Sequence, residues 1–184
     1  MNNSAFLSVV DTVLVIIDVQ EKLCRFMYEK EKLLDSLQRL IQGARVLELP
    51  IILTEQYPQG LGPTVPELVN LLPGVKPLPK RAFSCYRDAG FRKELEAVSR
   101  KQVLLTGIET HVCVYQTAVD LLTTGYTVQV VTDCVSSRTP ENKELGIQRM
   151  SLAGGKPTGM EMALFELLEA AEGERFKAIS KIVK

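Results

Sequence analysis

Three residues in this chain have the chemistry for a covalent hydrolysis, and each stands where a short apolar run gives out. Asp18 closes the run Thr12-Val13-Leu14-Val15-Ile16-Ile17. Lys80 sits in Pro79-Lys80-Arg81-Ala82-Phe83-Ser84. Cys113 follows Gln102-Val103-Leu104-Leu105-Thr106 by way of Gly107 and Glu109-Thr110-His111-Val112. A thiol is a strong nucleophile only once ionised, and a helix N-terminus or a nearby cation favours the ionised form. Lysine can supply that cation, and an aspartate can hold the lysine and carry a proton. Backbone N–H groups at the start of the same helix suit a developing oxyanion.

Each residue also has a plainer explanation. A cysteine in an amphipathic helix packs as a small hydrophobe, an aspartate after a strand often caps or turns the chain, and a lysine beside prolines is usually solvated. His111 is the only histidine, which excludes any metal site needing two. It lies two positions before Cys113, on a different helical face, so a Cys–His dyad is disfavoured. Cys85 is a second candidate nucleophile, close after Lys80 but without a helix start to activate it. Residue types alone leave these alternatives open.

The elements that must position the three residues follow from apolar patterning. Continuous β-branched runs predict strands over 12–18, 51–54, 102–106 and 127–132, with a weaker one over 75–79. Helical stripes cover 29–49, 88–100, 109–124, 140–152 and 159–171, with a short helix over 66–72. The segment 56–66, rich in Gly and Pro, reads as a loop. Glu109 and Thr110 are expected to cap their helix, Asp133 and Arg138 to form a structural pair or an interface contact, and 177–184 to be a solvated basic tail. Alternating strands and helices imply a doubly wound α/β fold of five or six parallel strands, in a single domain spanning 1–184. Ligands bind such sheets beyond the carboxyl ends of the strands, where Asp18, Lys80 and Cys113 fall.

Composition removes several classes. Twenty-two basic residues balance twenty-two acidic ones, so no broad basic field would hold nucleic acid. Near-zero net charge permits self-association, and a homo-oligomer is expected. No apolar run approaches the ~20 residues that span a bilayer, and Met1-Asn2-Asn3-Ser4-Ala5-Phe6 lacks a signal-peptide pattern. Cys24, Cys85, Cys113 and Cys134 show no CxxC spacing, so they read as reduced thiols of a cytoplasmic protein. The first strand is followed by Asp18-Val19-Gln20-Glu21-Lys22 without a glycine, which argues against a nucleotide binder.

The strings Val15-Ile16-Ile17-Asp18-Val19-Gln20, Lys80-Arg81-Ala82-Phe83-Ser84 and Gly107-Ile108-Glu109-Thr110-His111-Val112-Cys113 resemble the isochorismatase-like cysteine hydrolases. The likeness continues through Thr132-Asp133-Cys134-Val135-Ser136-Ser137-Arg138 and Met160-Glu161-Met162-Ala163-Leu164-Phe165-Glu166-Leu167. It implies a three-layer α/β/α sandwich with about six parallel strands in the order 3-2-1-4-5-6. It implies a catalytic triad of Asp18, Lys80 and Cys113, and a cis peptide between Ile108 and Glu109. Nicotinamidases of the family hold a metal through an Asp and two His after the second strand. Here that stretch is Thr54-Glu55-Gln56-Tyr57-Pro58-Gln59-Gly60, so no metal and no cofactor are expected, and Glu55 alone is a thin site. The Glu55-Gln56-Tyr57 loop and the Lys80 segment look most like the isochorismatase-like domain subgroup. The resemblance also implies a small-molecule amide, imide or ester as substrate, attacked by Cys113, with Asp18 moving protons and the N–H groups of Val112 and Cys113 as an oxyanion hole. Gln20, Tyr57, Phe83, Tyr86, Ile108 and Tyr115 are candidate pocket walls. A peroxide-reactive thiol switch and a non-catalytic binding module on the same fold are the rival functions.

Overall fold

The computed structural model describes residues 6–184, so the N-terminal string above lies almost wholly outside the described residues. In chain order the elements are β1 (Thr12–Ile17), α1 (Glu21–Cys24), α2 (Lys30–Val46), β2 (Ile51–Gln56), α3 (Pro58–Leu61), α4 (Pro66–Val69), β3 (Leu78–Lys80) and α5 (Ala89–Val98). They continue with β4 (Gln102–Ile108), α6 (Tyr115–Thr123), β5 (Thr127–Ser136), α7 (Pro140–Leu152), β6 (Lys156–Thr158), α8 (Met160–Leu168) and α9 (Gly173–Ile182). The six strands form one parallel sheet in the order β3-β2-β1-β4-β5-β6. This is the expected doubly wound topology.

Strand alternation explains the layers. Leu14, Ile16, Leu53 and Leu104 face one side and pack on Leu37, Leu40 and Ile41 of α2, with Leu164 of α8 and Ile179 of α9. Val13, Val15, Ile52, Val103 and Leu105 face the other side and pack on Phe91 of α5, Ala118 and Leu121 of α6, and Met150 of α7. β1 is buried on both faces along its whole length, which is why its sequence shows no polar alternation.

Four local expectations change. The loop after β2 contains the helical turn α3, started by Pro58. The edge strand β6 was not anticipated, because Pro157 and its three-residue length hide it. The segment 177–184 is not a solvated tail. It belongs to α9, which buries Ile179, while Arg39 of α2 donates to the carbonyls of Ile182 and Val183. Asp133 and Arg138 do not pair with each other: Asp133 accepts the N–H of Met160 and so caps α8, and Arg138 pairs with Glu109.

Two glycines let backbones approach at the rim of the sheet. Gly107 has φ of +107°, and a Cβ there would lie 2.1 Å from the carbonyl oxygen of Ile17. Gly146 on α7 abuts the Thr110–His111 peptide, and a Cβ there would stand 2.8 Å from the Thr110 carbonyl. The first contact fixes β4 against the end of β1; the second presses α7 on the turn that carries Cys113.

Candidate active site

Asp18 is the first residue beyond β1 and takes a left-handed φ of 52°, which an Asp tolerates better than most residues. Its N–H donates to the Thr54 carbonyl at the end of β2. Gln56 pairs in register with Lys80, which ends β3, so the lysine reaches over the sheet toward β1. Lys80 Nζ lies 2.6 Å from Asp18 Oδ2, and both side chains are only 1% exposed. The ammonium also donates to Gln56 Oε1 at 2.7 Å and to the carbonyls of Ala82 and Phe83 at 3.2 Å each. Thr54 donates its hydroxyl to the other carboxylate oxygen, Asp18 Oδ1, at 2.7 Å.

Cys113 comes to this pair from β4. The Ile108–Glu109 peptide is cis, and Thr110–Val114 forms a π-helical turn that runs directly into α6. Thr117 ties the turn to the Lys80 loop, accepting the N–H of Cys85 at 2.9 Å and donating to the Cys113 carbonyl at 2.7 Å. Burial, followed by the negative charge of Asp18, pushes the Cys113 thiol well above the ordinary cysteine range, and Lys80 opposes them. A thiol raised in this way favours its protonated form beside Asp18. Helix start and lysine do not suffice to hold a thiolate here, contrary to the simplest reading of the sequence. For Lys80, burial by itself favours the neutral amine, but Cys85, Asp18 and Cys113 outweigh it and raise the lysine, keeping an ammonium.

Other residues named from the sequence take different places. The N–H of Val112 donates to the Glu109 carbonyl at 3.0 Å. Glu109 does not cap its helix with its side chain but accepts from Arg138 at 3.1 Å. Thr110 makes no cap either, and its buried hydroxyl has no hydrogen-bond partner among the described residues. His111 Nδ1 lies 3.0 Å from Ser137 Oγ. Gln20 is wholly buried and spends its amide on the backbone of Gln56 and Gly62, tying the two loops together. Tyr86 packs edge-on against Tyr126, Tyr115 accepts from Arg149 of α7, and Ile108 is wholly buried in the core. Tyr57 and Phe83 alone of the six are exposed, Tyr57 beneath the guanidinium of Arg81 and Phe83 beside Lys80 in sequence.

Among the described residues no cluster of three or more His, Cys, Asp or Glu could hold a metal. Glu55 is engaged already, accepting from the N–H and hydroxyl of Thr64 at 2.7 and 2.8 Å. The four cysteines are unpaired and buried. Thr54, Gln56, Thr117, Gly107 and Gly146 are contributors that motif reading passed over. Thr54 and Gln56 carried a usable signal: they stand two apart at a strand end, so their side chains share a face with Ile52.

Residues 12–162 match the isochorismatase domain. Isochorismatase domain-containing protein 2A of Mus musculus is 40% identical over 174 residues, spanning 94% of this chain and 82% of the mouse protein. The solved structure of the MAR1 ribonuclease of Caenorhabditis elegans is 35% identical, superposes with a TM-score of 0.91, and covers 97% of this chain and 92% of its own. The YcaC gene product of Escherichia coli, described as an octameric hydrolase of unknown specificity, is 25% identical with a TM-score of 0.92 over 99% of this chain and 91% of its own. With its sheet order, and with that domain matched over most of its length, this chain belongs to the isochorismatase family.

Proposed function

We propose that the chain is a metal-independent cysteine hydrolase that cleaves a small amide, imide or ester through a thioester on Cys113. The observation that carries this reading is the convergence of a buried Asp18–Lys80 pair, 2.6 Å apart, with a thiol whose ionisation both residues influence. Three groups from three strand ends are more than a structural ion pair requires.

In this reading the thiol gives its proton to Asp18 as its sulfur attacks the carbonyl carbon. Lys80 stabilises the anionic character that moves through the site, and the N–H of Cys113 receives the oxyanion. Asp18 returns the proton to the departing nitrogen or oxygen, leaving a thioester. Asp18 then takes a proton from water, the hydroxide cleaves the thioester, and the proton returns to sulfur. A protonated resting thiol suits this sequence, because charge appears only once a substrate carbon is in place.

Metal independence rests on the donor set at the end of β2, where the one carboxylate, Glu55, is already bound to Thr64. A homo-oligomer is supported by the octameric assembly named for the Escherichia coli relative, and light scattering tests it. No described helix is long and apolar enough to cross a membrane. Cytoplasmic placement and a single domain over 1–184 remain part of the proposal; the first rests on four unpaired thiols. The worm relative is named a ribonuclease, but 22 basic against 22 acidic residues give this chain no net basic charge for RNA, so RNA serves as a control substrate.

The test uses p-nitrophenyl acetate with mass-spectrometric mapping. Wild type is expected to turn over and to yield an acetyl adduct on Cys113. Cys113→Ala should yield none, and Asp18→Asn should lose roughly 10²–10⁴-fold in rate. Acetylation spread over Cys24, Cys85 and Cys134, or turnover unchanged in Cys113→Ala, would sink the reading in favour of a binding module.

A further inference from the structure

The two oxygens of Asp18 are held from opposite sides. Oδ2 receives Lys80 at 2.6 Å and Oδ1 receives the Thr54 hydroxyl at 2.7 Å. Thr54 is wholly buried, and Cys85 Sγ lies 3.7 Å from its oxygen. Its one proton is directed to Asp18, so at that contact the cysteine S–H is the donor. A hydroxyl buried this way has no water to fall back on, and its dipole acts on the carboxylate in a weakly screening medium. Gln56, two residues along the same strand face, does the corresponding work on Lys80 Nζ.

We infer that Thr54 is a positioning residue of the site: by donating to Asp18 Oδ1 it tempers the carboxylate's hold on the Cys113 proton and sets the pH at which the thiol ionises. The inference rests on Cys113 being the reactive thiol of the proposed hydrolase. The physical reasoning is short. Asp18 raises the thiol through its charge and by accepting from it. A second hydrogen bond to that carboxylate draws negative charge away from the thiol, and its loss returns the charge. Ordinary packing by Thr54 would have no such effect, because valine fills the same volume.

The experiment is the pH dependence of iodoacetamide alkylation of Cys113, followed by peptide mapping, in wild type, Thr54→Val and Thr54→Ser. The readout needs no knowledge of the substrate. In Thr54→Val the midpoint should move to higher pH by about one unit, the scale of one hydrogen bond to a charged group. Thr54→Ser, which keeps the hydroxyl, should titrate close to wild type. Should Thr54→Val fail to fold, Thr54→Ala carries the same expectation. A Thr54→Val or Thr54→Ala midpoint equal to wild type overturns the inference. Failure of the hydrolase reading looks different: wild type treated with p-nitrophenyl acetate would then carry no acetyl adduct on Cys113, whatever the Thr54 variants do to its alkylation.

Discussion

Lys80 brings its ammonium to Asp18 in a place where neither side chain meets solvent, and it does so from the short edge strand β3 across the end of β2. Taking two charges out of water is costly, and the pair persists because the remaining donors and lone pairs are used: Thr54, Gln56 and two loop carbonyls complete it. Removing one partner strands the other. Lys80→Met is expected to destabilise the fold by about 3–5 kcal/mol. The double variant Asp18→Asn, Lys80→Met should cost clearly less than the two single losses added together. Urea unfolding of the four proteins gives the cycle, and additive losses would mean that the two residues are not energetically coupled.

The same geometry separates thiol reactivity from catalysis. The thiol is raised above its ordinary range by burial and by Asp18, with Lys80 pulling the other way. A raised thiol holds its proton at neutral pH, so alkylation of Cys113 should be slow there and climb only above about pH 8.5, the ordinary cysteine value. Asp18→Asn removes a raising influence, so its alkylation curve should shift to lower pH. Lys80→Met removes a lowering influence and should shift it to higher pH. Hydrolysis is expected to fall in both. A faster-labelled yet inactive Asp18→Asn enzyme identifies Asp18 as a proton carrier; a thiol sensor has no need of that role. Alkylation at graded pH, set beside ester turnover, distinguishes them.

β1, β2, β4 and β5 were readable because strands covered on both faces need unbroken apolar runs, and residues such as Val13 to Ile17 have no other use. Their carboxyl ends then located Asp18 and Cys113. β3 and β6 are three residues each and contain proline, so pattern places β3 only weakly, over 75–79, and misses β6. The pairing of Lys80 with Asp18 spans 62 positions, and only the strand order, supplied by family resemblance, makes it expected. Burial is the largest influence on the Cys113 thiol, and a string of letters shows a helix start and a lysine but not burial. The hydrogen bonds of Gln20 are hidden in the sequence for a related reason. Its position at a strand end is legible, but its commitment to the carbonyls of Gln56 and Gly62 is set by loops that pattern does not describe.

Gly107 sets how closely β4, which leads to Cys113, approaches the end of β1, which leads to Asp18. It sits beside Ile17 across the β1–β4 pairing, one residue before the cis peptide and next to the register shift in β4. With φ of +107° and a Cβ position 2.1 Å from the Ile17 carbonyl, alanine meets both a backbone conformation it disfavours and backbone atoms that cannot rotate away. Gly107→Ala should destabilise by about 3 kcal/mol or more, and whatever folds should lose hydrolysis, because β4 must part from Asp18 to make room. Gly125, whose Cβ would meet nothing within 4 Å, is the matched control with a comparable φ of +86°. Gly125→Ala should show the conformational cost without the loss of activity. Urea unfolding and ester turnover on both variants read the two effects apart.

The last helix offers a separate check on the fold. α9 is charged at Glu174, Arg175, Lys177 and Lys181, and its apolar residues Phe176, Ile179, Ile182 and Val183 recur at helical spacing. Ile179 is 0% exposed and joins the cluster built on Leu37, Leu40 and Ile41 of α2. Truncating a buried isoleucine costs its transfer free energy and the cavity it leaves, so Ile179→Ala should destabilise by about 2–4 kcal/mol. Lys177→Ala, on the solvent side, should stay within about 0.5 kcal/mol of wild type, since its partner Glu174 is exposed too. Equal, negligible effects at both positions would return 177–184 to the solvated tail that its lysines suggest. A large effect at Ile179 alone establishes that α9 closes the α2 and α8 side of the sandwich, and with it the core face from which β1 carries Asp18 to the rim.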